Sequence, residues 1–171
     1  MPVSEVHMGD QLFLSINKPK EELFNPVTGM KHNKKPIGGI WTSTKYSNNL
    51  GFPTSSFIEW SRGNLKISPE YSIWRITIEN PVKVLIINKK EDIINYSNLV
   101  EENTIDERYE FDIDYIHTDL GCNGIWLTEK GVKNTCSVMT DMKYSMKSWD
   151  VESTIWFDWV FDSITRLRSY D

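Results

Sequence analysis

Two β-type runs, separated by a short turn carrying Pro81, limit what this chain can fold into. Tyr71-Ser72-Ile73-Trp74-Arg75-Ile76-Thr77-Ile78 alternates apolar and polar residues, the two-residue period of a strand with one buried face. Pro81 breaks that run, and Val82-Lys83-Val84-Leu85-Ile86-Ile87 follows as a more buried strand rich in β-branched residues. Shorter β-type runs occur at residues 11–16, 40–44 and 124–128. Helical spacing occurs at residues 89–102, with Ile93, Ile94 and Leu99 near one face, and a short helix is expected at residues 55–60, capped by Ser55 or Ser56. Many short strands with few, short helices predict an α+β fold. Residues 109–115 read as a polar-faced strand, because Glu110, Asp112 and Asp114 alternate. The last segment, residues 151–167, alternates at first and then turns helix-like. Between residues 18 and 39, Pro19, Pro26, Gly29, Pro36, Gly38 and Gly39 predict a long loop with one helical turn near Glu21. A loop that long inside a compact domain usually has a function.

At 171 residues the chain is the size of one domain and can bury a core without staples. A net charge of −5 supplies no overall basic field toward nucleic acid or anionic membranes. Lys31, Lys34 and Lys35 cluster near His32, either as a solvated loop or as a short nucleic-acid groove. The two cysteines, Cys122 and Cys136, lack CxxC spacing, so reduced thiols are expected rather than a disulfide framework or zinc site. No signal peptide is visible at Met1–Glu5, and no apolar run approaches the ~20 residues of a membrane span. A cytoplasmic protein without a membrane partner is the expectation. Seven tryptophans exceed ordinary usage; most would fill core, but the same flat faces can stack on planar ligands.

The sequence lacks a phosphate-binding G-x-x-x-x-G-K-[ST] loop, a GxGxxG turn, HExxH and G-x-S-x-G. Its three histidines, His7, His32 and His117, are scattered, so no metal site is expected.

An ordered series of short segments remains. Val6-His7-Met8-Gly9-Asp10 comes first, then Gly39-Ile40-Trp41-Thr42-Ser43-Thr44-Lys45-Tyr46. The strand pair with its Lys83-Val84-Leu85 stretch follows, and last Asp150-Val151-Glu152-Ser153-Thr154. This series resembles the ADP-ribosyltransferase superfamily, in particular its diphtheria-toxin-like and poly(ADP-ribose)-polymerase-like branch. Thr42-Ser43-Thr44 also resembles the Ser-Thr-Ser strand of the Arg-Ser-Glu branch. The resemblance covers most of the chain in order, through about four short stretches.

What it implies is a single catalytic domain over residues 1–171, with two small packed mixed or antiparallel sheets and few helices around an NAD cleft. Glu152 would be the catalytic carboxylate, stabilising the oxocarbenium-like state formed as the nicotinamide bond breaks. His7, with Gly9 beyond it, would shape the NAD pocket. Trp41 would pack near nicotinamide, and the Thr42, Ser43 and Thr44 hydroxyls would orient Glu152 and the ribose. Tyr46, Phe52 and Phe57 compete as the second stacking aromatic. Asp150 takes the place of the residue that engages the acceptor, where arginine-modifying members carry Glu or Gln. Met8 between His7 and Gly9 is a second departure. Residues 123–131 read as core strand and turn without a catalytic role.

The implied activity is mono-ADP-ribosylation of a macromolecular acceptor, protein or nucleic acid, with NAD as substrate and no metal. An intracellular toxin or defence effector neutralised by an antitoxin-type inhibitor would fit that size. The alternatives are an NAD glycohydrolase and a non-enzymatic binding or immunity protein whose tryptophans are core or interface anchors.

Overall fold

A computed structural model describes residues 2–30, 34–99, 111–137 and 142–170. Strands β1 (Val3–Val6) and β2 (Gln11–Ser15) open the chain, and a 3-10 turn at Glu21–Leu23 interrupts the following loop. The two-residue strands β3 (Gly29–Met30) and β4 (Pro36–Ile37) pair with each other, as do β6 (Tyr46–Ser47) and β7 (Pro53–Thr54). Between those pairs runs β5 (Ile40–Thr44), and α1 (Ser56–Asn64) follows β7. Then come β8 (Ser72–Thr77), β9 (Val82–Ile87), α2 (Lys90–Leu99), β10 (Gly124–Leu127) and α3 (Glu129–Thr135). Strands β11 (Ser153–Trp156) and β12 (Ser163–Ser169) close the fold. The fold is α+β.

Eight strands form one mixed sheet in the order β1-β9-β10-β11-β5-β2-β8-β12, with only β9 and β10 parallel. That order cannot lie flat. β1 and β2 are five strand positions apart, ~24 Å at ordinary inter-strand spacing. Only His7–Asp10 connect them, a reach of at most ~18 Å. The four-residue link from β8 to β9 faces the same span. The sheet therefore curls until its two halves face each other. Ile76 and Ile78 from one half meet Val82, Val84 and Trp156 from the other, and Met8, Phe161 and Ile164 fill in around them. Where the resemblance implies two packed sheets, there is one continuous sheet folded on itself, and β5 lies at its centre.

Helices cover the outer face. α2, α3 and residues 111–120 pack on β9, β10 and β11 around Leu85, Ile87, Ile93, Ile125 and Ile155. α1 packs under β2 and β8 through Ile58, Leu12 and Ile73. Ser55 caps it, accepting a hydrogen bond from the Ile58 amide.

Three expectations are corrected. Residues 113–119 are helical and include a π turn at Tyr115–Asp119, not a strand; Tyr109 and Glu110 lie outside the described residues. The alternating acidic residues mislead because Asp112 acts locally, its Oδ1 accepting from the Tyr115 amide at 3.0 Å. The apolar run after β11 is not helical either. Its aromatics plug the space between the sheet halves, and the chain returns as β12 alongside β8. Residues 129–131, read as a turn, instead open α3 (Glu129–Thr135), capped by the Thr128 hydroxyl. The helical turn at Glu21–Leu23 stands as expected.

Candidate functional site

Glu152 precedes β11 directly opposite the end of β5, and is 4% exposed. Four donors converge on its carboxylate. Ser43 Oγ lies 2.9 Å from Oε1 and the Thr44 amide 2.9 Å from the same oxygen. Thr44 Oγ1 reaches Oε2 at 2.8 Å and the Trp126 indole N–H reaches it at 2.7 Å. A carboxylate offers about four acceptor positions, so this one is saturated by protein groups. Charge-assisted bonds of this kind are about twice as strong as neutral ones. Ser43 Oγ is also 3.0 Å from the Glu152 carbonyl and accepts from the Phe57 amide at 3.3 Å.

A polar relay stands behind the cage. The Trp156 indole donates to Thr42 Oγ1 at 2.8 Å, and Thr42 Oγ1 donates to Gln11 Oε1 at 2.7 Å. Gln11 Nε2 in turn reaches Thr44 Oγ1 at 3.3 Å and the Gly9 carbonyl at 3.0 Å. Gln11 is fully buried, and every polar group of its side chain is satisfied. Thr42 thus touches Glu152 only through Gln11 and Thr44.

The carboxylate faces a cleft of about 650 Å³ where β5, β9 and β10 end and β11 begins. Tyr46, Trp126, Lys45, Lys130 and Glu129 line it with Glu152. Ser56 Oγ hydrogen-bonds Glu129 across this cleft. Burial first, then the Glu59 and Glu129 carboxylates, push the Tyr46 phenol above its ordinary range. The volume suits a small-molecule site, with two cations for anionic groups and an aromatic wall for a ring. Among the described residues no group of three His, Cys, Asp or Glu is placed to hold a metal ion.

The candidates chosen from sequence fall into three groups. Thr44, Tyr46 and Glu152 come together at the cleft, with Gly9 behind Thr44; Ser43 joins them only through its bond to Glu152 and, with Thr42, lines a different space. Trp41, Phe57 and Asp150 line a separate cavity on the other face of β5. His7 is exposed on the link between β1 and β2, and lines neither space. Phe52 is 58% exposed on the β6–β7 hairpin. In the lysine cluster, Lys34 is fully buried with its ammonium 3.4 Å from the Ser145 carbonyl, while Lys31 and His32 lie outside the described residues.

Sequence reading missed Trp126, Gln11 and Glu129. Residues 123–131 read as plain core, yet they supply an indole donor to the key carboxylate and part of the cleft wall. The available signal was period: Trp126 is the aromatic of a four-residue strand whose other members are buried core residues. Comparison with protein-family models, curated proteins and solved structures finds no match to this chain. Among the described residues no helix is long and apolar enough to cross a membrane.

Proposed function

We propose that this chain is a mono-ADP-ribosyltransferase, cleaving NAD at Glu152 and passing ADP-ribose to a macromolecular acceptor inside the cell. The observation that supports it is the Ser43–Thr44–Glu152 cage beside the cleft. Hydroxyls of adjacent strand residues fix a buried carboxylate, as the resemblance of Thr42-Ser43-Thr44 to the Ser-Thr-Ser strand implies. In that reading the negative charge, fixed in a water-poor setting, offsets positive charge developing on the ribose as the bond to nicotinamide breaks. A ribose hydroxyl must first replace one protein donor on Glu152. The Ser43 and Thr44 hydroxyls can rotate away, whereas the Thr44 amide and the Trp126 indole cannot, so the hydroxyls are the exchangeable pair. Lys45 and Lys130 would meet the pyrophosphate, and Trp126 or Tyr46 a ring.

The saturation of Glu152 favours a second reading. A carboxylate with no free acceptor position ties β5, β10 and β11 together, and a non-enzymatic binding protein would need nothing more of it. Labelled NAD incubated with cell protein and RNA decides between them, using wild type beside Glu152→Gln with the fold of each checked by circular dichroism. Label on protein or RNA that disappears in the variant supports the transferase. Free ADP-ribose alone points to a glycohydrolase. A folded wild type that neither consumes nor binds NAD in calorimetry leaves the binding protein.

A further inference from the structure

On the face of β5 and β11 opposite the Glu152 carboxylate lies a cavity of about 260 Å³. Trp41, Phe57, Trp60 and Trp149 wall it, and Lys35 and Asp150 line it with them. We propose that this cavity is a guanine-binding site.

The aromatic walls select a flat ring. Trp41 and Trp149 meet edge to face at 4.7 Å, and Phe57 and Trp60 lie tilted at 5.9 Å on α1, so both pairs are set before any ligand arrives. The Trp149 indole is anchored by donating to the Lys34 carbonyl at 2.9 Å. A space below the ~300 Å³ of ordinary small-molecule pockets takes a base and leaves sugar and phosphate outside.

The two charges select which base. Lys35 and Asp150 line the same small space, yet form no ion pair with each other, and among the described residues neither enters a hydrogen bond through its side chain. Lys35 instead holds its ammonium 6.0 Å from the Trp41 ring centre. A cation and an anion on one aromatic-walled space match a ring that carries acceptors on one edge and two donors side by side on the next. Guanine presents O6 and N7 as acceptors and its 2-amino group, beside the ring N–H, as donors. A carboxylate accepts that N–H and amino pair with both of its oxygens, whereas adenine and cytosine offer it a single amino group and uracil a single N–H flanked by acceptors. Among the described residues Asp150 is also one of two non-glycine residues with positive φ, at 65°.

Ser43 lines this cavity and also donates to Glu152, so the base would sit one hydrogen bond from the cleft on the far side of the sheet. The site does not depend on Glu152 cleaving NAD.

Tryptophan fluorescence and calorimetry on the full chain test it, with GMP, AMP, CMP, UMP, nicotinamide mononucleotide and inorganic phosphate as probes. GMP is expected to quench fluorescence and to bind about tenfold or more tighter than the other nucleotides. Asp150→Asn keeps the size and shape of the side chain and should remove that preference while leaving AMP unchanged. Trp60→Leu should weaken GMP without unfolding the chain. A single-stranded pentanucleotide with a central guanine distinguishes the source: tighter binding than GMP assigns a nucleic-acid strand, weaker binding a free nucleotide. The proposal is overturned if neither GMP nor the strand binds at millimolar concentration, if the nucleotides bind alike, if nicotinamide mononucleotide matches GMP, or if Asp150→Asn keeps the preference. NAD turnover, followed separately in Asp150→Asn, reports on Glu152 and not on this site.

Discussion

Thr44→Val isolates one bond of the Glu152 cage. Valine keeps the β-branched shape that suits the end of β5, and it removes the hydroxyl that donates to Glu152 Oε2 at 2.8 Å, together with the weaker 3.3 Å contact this hydroxyl accepts from Gln11 Nε2. The carboxylate is 4% exposed, so water cannot readily replace the lost donor. A hydrogen bond to a charged group contributes about 1.5–3 kcal/mol, and a chain of this size loses roughly 2–4 °C of Tm per kcal/mol. The expected loss is therefore roughly 3–12 °C. Urea melts followed by tryptophan fluorescence measure it as a shift in midpoint at constant slope. The same substitution made in Glu152→Gln supplies the control. Whichever way the introduced amide turns, its NH2 faces one hydroxyl that can rotate to accept and one N–H that cannot. Glu152→Gln should thus cost about 1–3 kcal/mol by itself, and Thr44→Val should cost less in that background. An effect of Thr44→Val below about 0.5 kcal/mol, equal in both backgrounds, would refute the cage as an energetic unit.

Thr154 Oγ1 is buried without a hydrogen-bond partner, so Thr154→Val should be neutral or stabilising by up to about 1 kcal/mol, read as a rise in Tm. Gly131→Ala would place a methyl carbon 2.0 Å from the Ile87 carbonyl oxygen and 2.7 Å from Leu127, costing at least about 2 kcal/mol or soluble expression itself. Burial pushes the Cys122 thiol up to about 11 from an ordinary 9.0, against a smaller opposing effect of Lys83. The folded chain holds that proton longer than the unfolded chain, so stability should fall between pH 9 and 11, and by less in Cys122→Ala. Iodoacetamide at neutral pH should leave Cys122 unmodified until the chain unfolds, as mass spectrometry of the alkylated peptide would report.

The strands were legible wherever one face is buried. Residues 72–77, 82–87 and 40–44 carry the alternation or apolar continuity that burial demands. Period failed where a side chain answers to its neighbours in space. Asp112 accepts from the Tyr115 amide and turns an alternating stretch into helix, and the aromatics after β11 fill a core formed by a distant half of the sheet. Within the site, order along the chain brought Ser43, Thr44 and Glu152 to one place because those residues end adjacent strands. Order could not say which face a neighbour takes. Trp41 is one position from Thr42 and therefore points to the opposite side of β5, away from Glu152. Period could set Trp126 on the face opposite Ile125 and Leu127, but its role as a donor depends on β10 lying beside β11.

The connectivity of the curled sheet also sets when the site comes into being. The donors on Glu152 come from residues 43, 44 and 126, more than a hundred positions away in two cases. β11 slots between β10 and β5, so those two strands have no common neighbour until it arrives. At translation speeds of about 5–20 residues per second, the 25 residues between β10 and β11 take roughly 1–5 seconds to follow β10, and through that interval β5 and β10 lack the strand that joins them. A nascent chain cannot carry a partial version of this site. Whatever Glu152 does begins only when the last two strands leave the ribosome, and a fragment ending before Trp149 lacks both the carboxylate and the strand that seats it.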